Sequence, residues 1–197
     1  LTGLPNRVVL YERIDFSLGL CARERKSFAI LFIDLDRFKH VNDSLGHAYG
    51  DKVLIEVASR IQACLRQSDT AARTGGDEFI VLLHDTDALG AEAMVQRVLG
   101  CLCAPITLDD LCLTVTSSIG IAVYPMDGLS KDELIKNADT AMYQVKERGR
   151  SSFRFYQRQM NIDSLSRIKL DSAMREALLQ GDFLLRYQPQ IELESGR

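Results

Sequence analysis

The run FAILFIDLD, Phe28 to Asp36, constrains this chain most. It is apolar without helical spacing and closes on two acids, so it reads as a strand buried on both faces at the centre of a sheet. Such a strand needs paired neighbours and covering helices. Phe79 to Leu83, after the glycine pair Gly75-Gly76, is a second strand; Leu113 to Val123 is a third and Phe153 to Tyr156 completes the sheet. Helical spacing recurs between them. It predicts helices over residues 4–24 (apolar stripe Leu4, Val8, Leu10, Tyr11, Ile14 and Leu18), 51–65, 87–103 and 131–148, the last closed by Gly149. Strands 28–36 and 79–83 flank a tight glycine turn, which favours a hairpin. The expected fold is α/β of the α+β type, a sandwich with a mixed, mostly antiparallel central sheet.

Composition narrows the function. The 197 residues carry a formal charge of -3 and 46% hydrophobic residues. That excludes a disordered tail and gives no support for nucleic-acid binding, which shows as a basic face. The five cysteines, Cys21, Cys64, Cys101, Cys103 and Cys112, have no zinc-site spacing, and reduced thiols in a cytoplasmic domain are expected. No apolar stretch has the length of a membrane span. The chain opens on Leu1 and stops after a strand-like run, so it reads as a piece of a longer protein.

Two acidic elements draw the eye. Asp34 and Asp36 close the first strand and are expected to point to opposite faces, leaving one for any given site; both equally suit a strand end meeting solvent. Asp77 and Glu78 follow the glycine pair at a hairpin tip, which is also an ordinary turn composition. If the two strands are neighbours, Asp34 and Asp77 converge beside two glycines, a grouping of hard oxygens suited to Mg²⁺. His40, His47 and His84 have no metal-site spacing and read as structural or surface residues.

The blocks LTGLPNR (1–7), FIDLDRFKHVND (32–43), GHAYGD (46–51), ARTGGDEF (72–79), TSSIGIA (116–122) and NADTAMYQVKERGR (137–150) together resemble the GGDEF family over residues 1–156, in order and in spacing. The resemblance implies a palm-like, ferredoxin-like nucleotidyl cyclase sandwich that condenses two GTP into cyclic di-GMP where two copies face each other as a homodimer. It implies Mg²⁺ (or Mn²⁺) on Asp34, the Leu35 carbonyl, Asp77 and Glu78, with Asp77, Glu78 and Lys146 catalytic. It further implies β- and γ-phosphates on the amides of Arg37, Phe38 and Lys39 and on the side chains of Lys146 and Arg150, with guanine read by Asn42 and Asp51. Two alternatives stay open: Asp51 as the N-cap of the helix it precedes, and Lys146 and Arg150 as solvated helix-end charge sharing a face if the helix runs on through Gly149. An adenylyl-type cyclase is disfavoured by Asn42 and Asp51.

Arg66-Gln67-Ser68-Asp69 matches the RxxD motif at which feedback-inhibited members of the family bind cyclic di-GMP, with Arg97 as a further contact. Residues 165–197 resemble the opening of an EAL phosphodiesterase domain, with a helix over 159–180, a strand over 183–193 and Gln188 in YQPQ. The expected organisation is a GGDEF domain over 1–157 and a linker helix with the start of an EAL domain over 158–197. The parent is then a tandem protein, its GGDEF half cytoplasmic and either an active cyclase or a GTP-binding regulator of the EAL half. Anchoring of that parent to the inner membrane stays open.

Overall fold

The computed structural model describes residues 1–184 and 186. Its frame is a five-stranded sheet in the order β2-β3-β1-β6-β7. The strands are β1 (Phe28–Leu35), β2 (Thr70–Gly75), β3 (Glu78–Leu83), β6 (Ser117–Tyr124) and β7 (Ser152–Phe155), with a separate hairpin of β4 (Ile106–Leu108) and β5 (Leu111–Leu113). β1 is central as expected, antiparallel to both β3 and β6, and only β6–β7 is parallel. Every residue of β1 is buried.

Period-two alternation deals this strand's side chains to two layers. Ala29, Leu31, Ile33 and Leu35 face a core shared with α3 (His47–Cys64) and α4 (Ala88–Cys103). Phe28, Ile30 and Phe32 face α1 (Arg7–Glu24) and α5 (Lys131–Glu147). A Cβ on Gly120 of β6 would lie 1.9 Å from the Ala138 carbonyl oxygen, so the missing side chain lets α5 rest directly on the sheet.

Several elements differ from the expectation. The first helix begins at Arg7, capped by the Asn6 side chain; Val8 is 63% exposed, and Leu10, Ile14, Ser17 and Cys21 form the buried face. The glycine turn joins β3 to β2, a short and largely polar edge strand, rather than to β1. An additional helix, α2 (Phe38–Leu45), stands between β1 and α3. The run 113–123 is broken: its first residue ends β5, residues 114–116 join neither strand, and β6 begins at Ser117.

The cysteines are all free thiols. Burial and a hydrogen bond with Cys101 push the Cys64 thiol up to about 11. The long helix α6 spans Arg158–Gln180. Contacts divide the chain into two units, Leu1–Met160 and Asn161–Arg197. The first reaches past residue 157 because Met160 packs with Tyr156 and Ala141. Phe183, Leu184 and Arg186 carry no regular structure; the rest of the strand expected over 185–193, with Gln188, lies outside the described residues. No helix among the described residues is long and apolar enough to cross a membrane.

Candidate functional site

The ladder of β1 and β3 sets Asp34 directly opposite Glu78, the first residue after the turn. The Leu35 amide donates to the Asp77 carbonyl at 3.4 Å, tying the turn to the end of the central strand. Arg73 holds the turn from the other side: its Nε and a terminal guanidinium nitrogen donate to the Gly76 carbonyl at 2.9 and 2.7 Å. From the last turn of α5, Lys146 Nζ reaches Asp34 Oδ2 at 2.7 Å. Asp34, Asp77, Glu78 and Lys146 therefore meet at one end of the sheet.

The expected divergence of Asp34 and Asp36 does not arise from the pleat, because residues two apart in a strand share a face. Hydrogen bonding separates their roles. Asp36 accepts from Ser118 Oγ at 2.6 Å, Thr116 Oγ1 at 2.7 Å and the Ser151 amide at 3.1 Å, which commits it to fastening β6 and the approach to β7. Asp34, 6% exposed, is left to Lys146.

Charge at this end is poorly screened. Burial raises the Asp34 carboxyl above the ordinary aspartate value; Lys146 opposes the rise, and Asp77 and Asp36 add to it. Glu78 is raised by burial, then by Asp34, Asp139 and Asp77, again against Lys146. Asp139 was not among the expected site residues. It lies two helical turns before Lys146 on α5, a spacing that puts both on one face and was readable in NADTAMYQVK. Its side chain is reached by solvent, yet enough protein surrounds it that desolvation lifts its carboxyl too, again opposed by Lys146.

The donors fit a hard divalent cation: carboxylate oxygens on Asp34, Asp77 and Glu78, with the Leu35 carbonyl beside them. The Lys146 ammonium already stands at Asp34 as a cation would. Among the described residues no three histidine, cysteine or carboxylate side chains are gathered closely enough to hold a metal ion as they stand.

Next to the acids, Arg37 turns the chain through a left-handed conformation (φ 57°) into α2. The amides of Phe38 and Lys39 open that helix, where no intrahelical acceptor serves them, and Phe38 is buried beneath them. Asn42 lies against Gly50 of α3: a Cβ there would meet Asn42 Oδ1 at 1.9 Å. The contact brings Asn42 beside the turn of α3 that carries exposed Asp51. Asp51 lies inside α3, whose N-cap is Gly46, so the capping alternative is excluded. α5 ends at Glu147, and Arg150 lies beyond Gly149 with φ 66°, so Lys146 and Arg150 do not share a helix face.

The RxxD residues sit elsewhere, in the turn between α3 and β2. Asp69 is buried, with Oδ2 accepting the Arg66 amide at 3.0 Å and Oδ1 the His84 amide at 3.2 Å. The Arg66 side chain is exposed beside a pocket of about 360 Å³ lined by Ser27, Asp69, Asp85, Thr86 and Asp87 among others. Arg97 donates to the Cys64 carbonyl at the end of α3. In return Arg60 of α3 binds the carbonyls of Cys101, at 3.0 Å, and of Ala104 and Pro105 at the end of α4. His84 Nδ1 lies 3.2 Å from Ser17 Oγ, a structural contact.

Comparison with known proteins bears on this arrangement. The family model for the diguanylate cyclase GGDEF domain matches residues 1–152. The chain is 40% identical over 196 residues to the bifunctional diguanylate cyclase/cyclic di-GMP phosphodiesterase MucR of Pseudomonas aeruginosa, covering 100% of this chain and 29% of MucR. It is 40% identical, also over 196 residues, to the cyclic di-GMP phosphodiesterase NbdA of the same organism, covering 100% of this chain and 25% of NbdA. The chain thus spans less than a third of either relative. The solved GGDEF domain of TpbB (YfiN) from P. aeruginosa superposes with a TM-score of 0.80 at 41% identity, covering 83% of this chain and 96% of that one.

Proposed function

The chain belongs to the GGDEF diguanylate cyclase family, and from that premise we propose that it binds GTP with Mg²⁺ and joins two GTP into cyclic di-GMP between two copies of the domain. The observation that carries the reading is the meeting of Asp34, Asp77, Glu78 and Lys146 at one sheet end, beside the open amides of α2. Each 3′-hydroxyl attacks the α-phosphorus of the other GTP; two ester bonds form and two pyrophosphates leave. Asp34, Asp77, Glu78 and the Leu35 carbonyl would hold the metal, which supplies Lewis-acid stabilisation of the phosphate charge when bound.

The remaining work falls to the chain itself. Glu78, opposite Asp34 in the ladder, serves as a second metal ligand or as the group that helps activate the attacking 3′-hydroxyl. The amides of Arg37, Phe38 and Lys39 at the start of α2 receive phosphate oxygens, and Lys146 Nζ and Arg150 balance phosphate charge. Asp51 accepts from guanine N1–H and the exocyclic amine, and Asn42 bonds the purine edge, a pattern adenine cannot satisfy. Cyclic di-GMP bound at Arg66 and Asp69, with Arg97, restrains the domain by feedback. In a tandem parent an EAL domain follows.

One observation favours a second reading. NbdA, 40% identical across the whole chain, is named a cyclic di-GMP phosphodiesterase, and on that pattern the domain instead binds GTP to regulate an adjoining EAL domain without turnover. The test is cyclic di-GMP formation from GTP and Mg²⁺ at high protein concentration. Turnover that disappears in Asp77→Ala and rises in Arg66→Ala is the expected result. GTP binding without product, even after enforced dimerisation, selects the regulatory reading.

A further inference from the structure

Lys146 is paired with the wrong partner for a residue whose only task is to meet phosphate. Its ammonium stands 2.7 Å from Asp34 Oδ2, and the Lys146 side chain is 28% exposed. The Asp34 backbone is fixed, because β1 is held by β3 on one side and β6 on the other, and the residue is buried between Glu78 and Ser118. Lys146 can leave the contact: it sits in the last turn of α5, on a flexible four-carbon stem with an exposed flank. A divalent ion bound through the same Asp34 Oδ2 would stand directly beside the Lys146 ammonium. Two cations crowding one oxygen repel strongly where solvent is scarce.

Resting on the reading of this site as one for GTP and a divalent ion, we propose that Lys146 is an exchangeable stand-in for the metal, which makes metal and nucleotide load together. In the nucleotide-free domain the ammonium neutralises Asp34, whose bare charge would be costly at that depth. It also blocks the divalent ion from a bond it needs. Nucleotide phosphate draws the ammonium off Asp34 and frees Oδ2 for the divalent ion. Coupling of this kind is reciprocal: the nucleotide tightens the metal by the factor by which the metal tightens the nucleotide.

The experiment follows Mn²⁺ by its electron paramagnetic resonance signal at pH 8, with and without 3′-deoxy-GTP, which cannot be condensed. It compares the wild type with Lys146→Met, Lys146→Gln and Lys146→Arg, each checked for folding by circular dichroism. The wild type should bind Mn²⁺ weakly alone and about tenfold or more tightly with the nucleotide. Both neutral variants should bind Mn²⁺ alone roughly tenfold more tightly than the wild type and lose most of the coupling. The arginine variant, which keeps the charge, should stay close to the wild type. Neutral variants that bind Mn²⁺ alone no more tightly than the wild type, with nucleotide binding intact in the wild type, overturn the stand-in role and leave the GTP reading untouched. A wild type that takes no nucleotide at any Mn²⁺ concentration overturns both.

Discussion

At the Glu78 end of β3, carboxylates crowd around one ammonium, whereas just past its Leu83 end the single buried carboxylate of Asp69 is filled by the amides of Arg66 and His84. The same residue type is thus a stability cost at one end of a strand and a fastening at the other. The first arrangement leaves buried acid charge that Lys146 alone opposes. The second spends its acceptors on the fold, so the aspartate of the RxxD turn serves the domain whether or not anything binds there.

The comparison breaks most visibly at Asp69. Asp69→Ala strands two backbone donors, each worth about 1–3 kcal/mol when buried and unpaired, so urea unfolding should show a loss of about 2–4 kcal/mol. A loss below about 0.5 kcal/mol would remove the contrast, being no more than an ordinary surface substitution costs.

Glu78→Gln should move stability the other way, by no more than about 1 kcal/mol because the side chain is only half-buried. The folded carboxyl is raised above the ordinary 4.5, so the native state holds its proton more tightly than the unfolded chain. Stability therefore falls as pH rises from 4.5 through the raised value. The gain from glutamine should be complete above that window and vanish below it, measured by thermal melts in chelator. The smallest effect belongs to Arg66→Ala: its amide, not its side chain, serves the turn, and stability should hold within about 0.5 kcal/mol. Arg66 is therefore the cleaner probe of the proposed feedback, free of the folding defect expected at Asp69.

Much of this was legible in the sequence, and the gaps have physical causes. β1 and β3 announce themselves because strands buried on both faces must be apolar throughout. α5 is legible from its apolar spacing and its Ser130 cap. β2 was missed because TAARTG is an edge strand of small and polar residues, and α2 because FKHVNDSL buries only Phe38. With β2 hidden, the glycine turn reads as joining β1 to β3, whereas it joins β2 to β3. The break in the run 113–123 is hidden because short β-branched and polar residues at 114–116 suit strand and loop alike. The motifs named Asp34, Asp77, Glu78 and Lys146 together, and the fold brings these four to one sheet end. Which acid meets Lys146 was not readable, since it depends on Ser118, Thr116 and Ser151 claiming Asp36 first.

β3 links the acid cluster to the RxxD turn over six residues, roughly 20 Å at strand rise. It is hydrogen-bonded along both edges, to β2 and to β1. Sliding it by a single position would turn Phe79, Val81 and Leu83 out of one core and drive Ile80 and Leu82 out of the other. A rod locked in this way transmits no stroke. The turn beside Arg66 and the acid end are therefore joined by a strand whose register is fixed from end to end.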